Sequence, residues 1–549
     1  MHFSWRHHPA ASAASRFAAV FALFTALTVV MTWPQARYFA THASDHWDVY
    51  FNMWRVAWFA HALASAPSTI FDGNIFYPER HALTFSDAMV VEGLVAAPLL
   101  WAGVRPVLVH NSLLLGAVIG SATGMFVLVE RLTRNRAAAV IGGIIFAFAP
   151  YRFDHYMHLE LQWTIWVPWA LWAVHRTIES GRLLHGLQVG LFVALQMLSS
   201  VYYGVYLATV LPLVSGLLLV SLPKSRALRA FRALALGAVA ATIICSLYAL
   251  PYLAAGSQVG RRSTDEIAKF SAQPHDYLVA TPDNRIYGEA FQNPPERRLF
   301  PGIVPVLLAI AAVFPRPRTG VAVVYLIALV AAFEMSLGFH GYAYRFLYEH
   351  VRVFAGLRAP ARMGIFVVVF LAILAAQGHA VLHDAAPRAA RRAFAVLISS
   401  ALLLEYSVSP LPLVPYENVP PPVYAFLAQL PSGVVAEFPV PSKNTVPGPD
   451  ARYTYMSTFH WNKLVNGYSG YYPPSYLRRL DGLQAFPDAS SIDLLRRTGV
   501  SYVIVHLSSH EAEKQMLLDL QTNPELVVLG RLRDGRGAAI VYRLERRGA

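Results

Sequence analysis

Two aspartates, Asp45 and Asp48, open the stretch THASDHWDVYFNMWRVAWFAHAL (41 to 63), which follows an apolar N-terminal segment. A carboxylate in partly buried surroundings can take a proton from a hydroxyl group and so act as a general base. Behind the aspartates, three tryptophans at helical spacing form one aromatic face. On spacing alone, the simpler interpretation is an interfacial helix that Asp45 or Asp48 caps.

A second acidic stretch, PYRFDHYMHLE (150 to 160), lies between two apolar runs. The pair His155 and His158, with Glu160 close behind, could imitate a metal site, but this spacing is not a specific signature. Capping of helix ends explains some of these residues. With Asp154 included, the turn carries more ionisable and imidazole groups than capping requires, and such groups near a membrane are costly.

Arginines are concentrated in two further segments. GLRAPAR (356 to 362) contains Arg358 and Arg362, and GRRSTDE (260 to 266) contains Arg262. The forked guanidinium group suits phosphate, including a lipid phosphate. Snorkelling of long basic side chains to phospholipid headgroups explains these arginines equally well.

The elements that must position these groups are membrane helices. Of the 549 residues, 56% are hydrophobic and 14% charged, and the mean hydropathy is +0.42, which is typical of a polytopic membrane protein. The net charge of +13 comes from basic clusters between apolar runs, so we expect a lipid bilayer as partner and no nucleic acid. Cys245 is the single cysteine, which excludes an internal disulfide and a cysteine metal site.

Apolar runs of sufficient length predict a polytopic α-helical membrane protein with about 11 spans. The basic loops fall on alternate connections, which predicts a multi-pass membrane protein with a cytoplasmic N-terminus. The run 89 to 104 carries Glu92 and is predicted to be an interfacial helix. The predicted spans are 17–33, 106–129, 137–150, 161–174, 183–222 (two passes broken near SSVYYG), 234–253, 302–314, 320–337, 364–381 and 393–404.

The character of the chain changes at the proline-rich segment that begins near residue 410. We therefore predict a transmembrane domain over 1–409, in which 34–105 forms the first extracytoplasmic loop with interfacial helices. Residues 410–549 are predicted to form an extracytoplasmic α/β domain. Its predicted elements are strands at 433–440, 500–507, 526–532 and 537–544 and a helix at 508–521.

A tyrosine-rich segment, FHWNKLVNGYSGYYPPSY (459 to 476), lies within the predicted C-terminal domain. Aromatic faces and amides suit sugar rings, which makes Asn466 and Tyr468 candidate substrate contacts. The same composition is typical of a loop that packs a domain onto a membrane, and both interpretations stay open.

The order of these features resembles the GT-C superfamily of glycosyltransferases that use polyprenyl-phosphate sugars. Relatives include the protein O-mannosyltransferases, the aminoarabinose transferase of lipid A and the catalytic subunit of oligosaccharyltransferase. The resemblance implies a GT-C-like fold in the bacterial inner membrane and transfer of a sugar from a polyprenyl-phosphate donor to an extracytoplasmic glycan, lipid or protein acceptor. The stretches that carry it are DVYFNMWRVAWFAHAL, IFDGNIFYPERHALTFSDAM, FAFAPYRFDHYMHLELQ, LQMLSSVYYGVYLA and LVNGYSGYYPPSY.

The resemblance also implies roles for the acidic residues. The base of the first outer loop falls on Asp48, with Asp45 as the alternative, although these aspartates are three apart and do not form the tight acidic pair of several relatives. Glu160 takes the place of the second acidic residue. The residues near them, Asp154, His158 and Arg55, are predicted to contact substrate.

The remaining expectations concern charge and metal. The leaving group is a lipid phosphate, which needs cations, and we assign this role to Arg358 and Arg362 with Arg262 in reserve. No cofactor is expected. Some relatives use a divalent cation, so a cation stays possible although the sequence shows no convincing metal cage.

Two other functions stay open. A transporter or flippase of lipid-linked glycans should carry ionisable residues near the middle of its spans and an internal repeat, and the sequence shows few of the former and no evident repeat. A non-enzymatic membrane scaffold with a binding outer domain would not need its outer carboxylates for any reaction.

Overall fold

The computed structural model describes residues 10–259, 262–288, 293–408, 410–507 and 518–545, so most of the predicted helix at 508–521 lies outside the described residues. The chain forms two compact units. The first consists of Met1–Arg37, Leu114–Ser246 and Arg261–Pro412, and the second of Tyr38–Leu113, Leu247–Gly260 and Leu413–Ala549. The predicted division after residue 409 concerns placement in a membrane and stays a prediction.

Helices make up most of the described chain, because long apolar runs can satisfy their backbone hydrogen bonds only internally when they lie in lipid. The helices are α1 (Ala10–Met31), α2 (Trp47–Ser65), α3 (Val90–Trp101), α4 (Pro106–Thr133), α5 (Arg136–Phe148), α6 (Pro150–Asp154), α7 (Leu159–Gln162), α8 (Trp166–Ser180), α9 (Leu183–Ser199), α10 (Val201–Val220), α11 (Lys224–Val259), α12 (Thr264–Lys269), α13 (Ile303–Val313), α14 (Gly320–Ser336), α15 (Ala343–His350), α16 (Gly364–Ala385), α17 (Arg391–Glu405), α18 (Pro422–Leu427), α19 (Asp450–Met456), α20 (Pro474–Leu483) and α21 (Ala489–Thr498).

Within the described ranges, six segments are long and apolar enough to cross a membrane. The break predicted near SSVYYG lies at Ser200, between α9 and α10. The predicted span 161–174 differs from the structure, because α7 ends at Gln162 and α8 begins at Trp166. The number of about 11 spans stays a prediction. The six segments are Ala14–Met31, Pro106–Thr133, Arg136–Asp154, Val201–Val220, Lys224–Gly256 and Pro360–Ala385.

Helix α16 lies at the centre of the first unit. Nearly all of its residues from Gly364 to His379 are buried, as expected for a helix that is apolar on every side. It packs against α5, α13 and α14. At Gly378 an added Cβ would lie 1.8 Å from the carbonyl oxygen of Leu308, so the close approach of α13 requires glycine at this position.

The second unit contains a five-stranded sheet with the order β4-β3-β5-β7-β6, in which β3 runs parallel to β4 and β5 while β7 is antiparallel to β5 and β6. The four strands predicted near the C-terminus are confirmed as β3, β5, β6 and β7. A separate pair, β1 with β2, joins the segment before α2 to the start of the C-terminal residues. The strands are β1 (His42–Ser44), β2 (Leu413–Pro415), β3 (Val434–Phe438), β4 (Lys463–Leu464), β5 (Tyr502–Leu507), β6 (Leu526–Arg533) and β7 (Ala538–Leu544).

Candidate active site

Asp48 lies in the first turn of α2, where the helix dipole favours a negative charge. The residue that caps this helix is His46, whose Nδ1 accepts a hydrogen bond from the backbone N–H of Asp48 at 3.1 Å. The prediction that Asp45 or Asp48 caps the helix is therefore wrong, because an imidazole nitrogen takes the place of the carboxylate. Asp45 is exposed.

The Asp48 carboxylate is held by a tyrosine that is far away in the sequence. The hydroxyl of Tyr468 donates a hydrogen bond to Asp48 Oδ1 at 2.7 Å, and the Asp48 side chain is 19% exposed. Burial, and then the neighbouring Asp48 carboxylate, raise the pKa of Tyr468 well above its usual value. Tyr468 therefore stays a hydrogen-bond donor at neutral pH, and it orients a carboxylate that solvent still reaches.

Arg55 lies on the same side of α2, two turns after Asp48, and is almost fully buried. Its guanidinium donates hydrogen bonds to the Asn52 side chain and to the carbonyl oxygen of Asp87, and it lies 4.5 Å from the centre of the Phe51 ring. The charges of both Arg55 and Asp48 act on the Tyr468 hydroxyl. The structure thus gives Arg55 a part in the electrostatics of this site, and its burial does not favour the predicted direct contact with substrate.

Asn466 is also buried and is bonded within the fold. Its side-chain amide donates to the Glu437 carbonyl oxygen and to Asp450 Oδ1, each at 3.0 Å, while its oxygen accepts from the Glu437 N–H at 2.8 Å. Both amide hydrogens are engaged, so this geometry favours a structural role over the predicted substrate contact. Burial raises the pKa of Asp450 to about 7, although hydrogen bonds from Tyr476 and Asn466 oppose the rise.

In the first unit, the acidic turn is paired with an arginine that the sequence analysis missed. Arg298 Nη1 donates a hydrogen bond to Asp154 Oδ1 at 2.8 Å, and the Asp154 side chain is almost completely buried. Arg298 belongs to the run PPERRLF, which precedes the apolar run 302–314. The three adjacent charged residues of this run could have indicated an ion pair, since such groups seldom lie beside an apolar helix without partners.

The same run provides Glu296, which pairs with Arg362. The Arg362 Nε lies 3.1 Å from both carboxylate oxygens, and a further bond forms from its Nη2 to Oε1. Burial by itself would raise the pKa of Glu296, but the charge of Arg362 holds it well below the usual range. Arg362 is buried and already bound to this carboxylate. It would have to break the pair to hold a donor phosphate, which counts against the predicted role.

The two other predicted cations are more accessible and lie together. Arg358 is 34% exposed in its side chain, with Nη1 3.9 Å from Glu266 Oε1 and its guanidinium 5.4 Å from the centre of the Phe270 ring. Arg262 donates to the same Glu266 oxygen from 3.3 Å. Two guanidinium groups thus lie beside one carboxylate, and such a pair of forked cations suits an oxyanion.

The histidines of the acidic turn lie close to the ion pair of Glu296 with Arg362. His155 Nδ1 lies 3.4 Å from His158 Nδ1, and its Nε2 lies 3.7 Å from Glu296 Oε2. Glu160 is buried in α7. Among the residues that the structure describes, no group of three or more His, Cys, Asp or Glu side chains could hold a metal ion.

A second polar group, at the C-terminal sheet, was not predicted from the sequence, because its members come from two strands, a turn and a helix that are distant in the sequence. His506 on β5 bonds Glu437 Oε2 on β3 through Nε2 at 2.6 Å and Asp534 Oδ2 through Nδ1 at 2.8 Å. The charge of Arg452 lies against Asp534, and Tyr453 stacks on the imidazole. Burial lowers the pKa of His506, but the hydrogen bonds to the two carboxylates outweigh it and raise this pKa.

We expect this histidine to make the stability of the protein depend on pH. Because its pKa is raised on folding, the stabilisation is complete below the unfolded value of about 6.5 and is lost as pH rises through the folded value. The unfolding temperature of the purified protein should therefore fall more steeply between about pH 6 and pH 9 in the wild type than in the His506→Gln variant. Asp450, whose pKa is also raised, titrates in the same pH range and is present in both proteins. The difference between the two curves therefore reports the His506 imidazole alone. Parallel curves would contradict the assignment.

No protein-family model matches the sequence, and no curated protein matches it. Solved structures do. The arabinofuranosyltransferase AftD from Mycobacteria aligns with 97% of this chain at a TM-score of 0.65 and 13% identity, and this chain spans 40% of its length. The oligosaccharyltransferase of Archaeoglobus fulgidus, solved in the apo form, aligns with 89% of this chain and 69% of its own at a TM-score of 0.50 and 12% identity.

A third solved structure, ArnT from Cupriavidus metallidurans bound to undecaprenyl phosphate, aligns with 97% of this chain and 98% of its own at a TM-score of 0.49 and 13% identity. These structural neighbours are GT-C glycosyltransferases. The likeness to the first two shows that this chain shares their fold, which agrees with the fold that the resemblance in the sequence implied. At such low identity, the likeness is one of fold.

Proposed function

We propose that this protein is a bacterial inner-membrane glycosyltransferase that moves a sugar from a polyprenyl-phosphate donor to an extracytoplasmic glycan, lipid or protein. The observation that carries the proposal is the Asp48 carboxylate, which is partly buried at the start of α2 and oriented by Tyr468. In a chain with the GT-C fold, this is the position at which the resemblance implies the catalytic base.

The chemistry follows from a single carboxylate with a fixed orientation. Asp48 accepts the proton of an acceptor hydroxyl while that oxygen attacks the anomeric carbon of the donor sugar. The bond between the anomeric carbon and the phosphate oxygen breaks, and the electron pair stays on the lipid phosphate. This leaving group is already an anion, so it needs positive charge and no general acid.

Arg358 and Arg262 are the residues that we propose to bind the donor phosphate. They are partly exposed and share Glu266, whereas Arg362 is buried against Glu296. A phosphate can reach both guanidinium groups without breaking a buried ion pair, and their forked geometry suits its oxygens. We retain Glu160 as the proposed second acidic residue and Asp154 and His158 as proposed contacts for substrate, although Asp154 already pairs with Arg298.

The proposal includes a membrane topology. We infer about 11 spans, with a cytoplasmic N-terminus and the residues from 410 to 549 on the outer side. The basic loops carry this inference, since they occur on alternate connections. The interfacial helix predicted at 89–104 corresponds to α3, which exposes Leu94, Val95 and Leu99 and buries Glu92.

Replacing Arg358 and Arg262 together by glutamine should raise the KM for the polyprenyl-phosphate sugar by about tenfold or more, because each charge-assisted hydrogen bond contributes about 1.5–3 kcal/mol. The KM for the acceptor should change much less. Initial rates of sugar transfer by the reconstituted protein, measured against donor concentration, provide the test. Arg345→Gln is the control, since Arg345 is exposed and pairs only loosely with Glu349. An unchanged donor KM would remove both arginines from the site.

A further inference from the structure

The second unit has an open groove of about 400 Å³ that the proposed reaction does not use. Its lining includes three arginines and two hydroxyl side chains, with no carboxylate among the lining residues. The residues on which the argument rests are Ser475, Arg478, Arg479, Arg497 and Thr498.

Two helices build this groove. The α20 helix presents Ser475, Arg478 and Arg479 at spacings of three and four residues, which places them on one face. The α21 helix, which packs against α20, contributes Arg497 and Thr498 at its end. Three cationic side chains are therefore gathered around one opening.

Arg479 is the strongest sign that the groove takes a ligand. Its side chain is only 10% exposed, and its Nη1 is buried without a hydrogen-bond partner in the described structure. Its one carboxylate, on Glu79, lies 3.4 Å from Nη2, at the long end of hydrogen bonding. Burial lowers the pKa of Arg479, and Glu79 offsets this only in part. A buried donor without a partner costs about 1–3 kcal/mol, which a bound anion would relieve.

The neighbouring arginines leave further charge available. Arg478 is exposed and has no ion-pair partner within the described ranges. Arg497 is 72% exposed and pairs with Asp493 at 3.1 Å on its own helix. Exposed pairs of this kind contribute little and exchange readily, so both guanidinium groups can turn to an oxyanion.

A row of three tyrosines runs from Asp48 to helix α20, which carries one side of the groove. Tyr468, which bonds Asp48, lies 6.4 Å from Tyr472 between ring centres, and Tyr472 stacks on Tyr476 at 6.1 Å and 17°. Tyr476 belongs to α20, the helix that carries Arg478 and Arg479. Tyr476 is fully buried, whereas Tyr468 and Tyr472 are partly exposed. Aromatic faces beside hydroxyl groups suit sugar rings, so these two partly exposed tyrosines favour a glycan over a lipid headgroup.

We propose that the groove binds the oxyanion of an acidic acceptor glycan, either a uronic-acid carboxylate or a sugar phosphate, a few sugar units away from the hydroxyl that reacts at Asp48. This inference rests on the proposed function and names the class of its acceptor. The arginines supply the charge, and Ser475 and Thr498 supply hydroxyl partners for the same sugar unit.

Binding measurements on the full chain in discs of zwitterionic lipid test the proposal. Tetragalacturonate, a chain of four uronic acids, should bind saturably, more weakly as salt is added, and at least about tenfold more tightly than neutral maltotetraose. Inorganic phosphate should compete with it. The double replacement Arg478→Gln with Arg497→Gln should weaken binding by about tenfold or more. The control Arg531→Gln removes an exposed arginine on β6, outside the groove lining, and should leave the affinity within about twofold.

Four results would overturn the proposal: equal binding of maltotetraose, no competition by phosphate, an equal loss in Arg531→Gln, or binding confined to discs of anionic phosphatidylglycerol. The last result would indicate a lipid site. The Asp48→Asn variant should bind tetragalacturonate as the wild type does. Full sugar transfer by that variant would reject Asp48 as the base and leave the groove intact, so the two proposals fail separately.

Discussion

Replacing Asp48 by asparagine is expected to lower the rate of sugar transfer by about 10²–10⁴-fold, because a general base contributes about that factor. Asparagine has nearly the same shape, and its oxygen can still accept the hydrogen bond that Tyr468 donates to Oδ1. It cannot accept the proton of the acceptor hydroxyl. The loss should therefore appear in kcat, while the KM for the lipid-linked donor changes little.

Asp45→Asn provides the matched control for this prediction. The substitution is the same, the site lies three residues earlier, and the Asp45 side chain is exposed. We expect its rate to stay within about threefold of the wild type, because a solvated carboxylate outside the site takes no part in proton transfer. A large loss in Asp45→Asn with normal transfer by Asp48→Asn would give the role of base to Asp45.

Replacing Glu296 by glutamine is expected to destabilise the first unit by about 3–5 kcal/mol, the usual effect of removing one partner of a buried ion pair. The variant leaves the buried Arg362 guanidinium without its counter-charge. It also removes the carboxylate that lies 3.7 Å from His155. Unfolding of the detergent-solubilised protein, followed by temperature or denaturant, measures the change.

Glu349→Gln serves as the control for that experiment, because Glu349 is exposed and lies 3.8 Å from the exposed Arg345. An exposed pair contributes little, so this variant should unfold close to the wild type. The loss in Glu296→Gln should also shrink in acid, because the stabilisation from a carboxyl with a lowered pKa is complete above its unfolded pKa and is lost as pH falls towards its folded pKa. Equal midpoints for Glu296→Gln and Glu349→Gln would contradict the assigned pairing.

The helices of the first unit could be predicted because long apolar runs leave few alternatives in lipid. Strands β3, β5, β6 and β7 were predictable for a related reason, since short apolar stretches alternate with polar residues. The end of a helix was harder to predict. At α2 the cap is His46, although the general preference for Asp at helix N-termini predicts Asp45 or Asp48 there.

Partners that are distant in the sequence account for the other misses. Asp48 and Tyr468 were each singled out by local composition, but nothing in the sequence joins residues 420 positions apart. Arg362 was assigned to a phosphate because Glu296, its partner, lies in another segment. His506 has no local motif, since its two carboxylates come from other parts of the sheet. Pairing between charged side chains depends on the fold and cannot be read from spacing.

The most direct test of the central claim is the release of polyprenyl phosphate from a radiolabelled polyprenyl-phosphate sugar by the purified protein in liposomes, with an extract of envelope glycans as acceptor. The proposal predicts that the wild type and Asp45→Asn release the lipid phosphate and transfer the label to the acceptor at rates within about threefold of each other, and that Asp48→Asn does both about 10²–10⁴-fold more slowly. Equal release by Asp48→Asn and the wild type would contradict the claim that this carboxylate is the catalytic base.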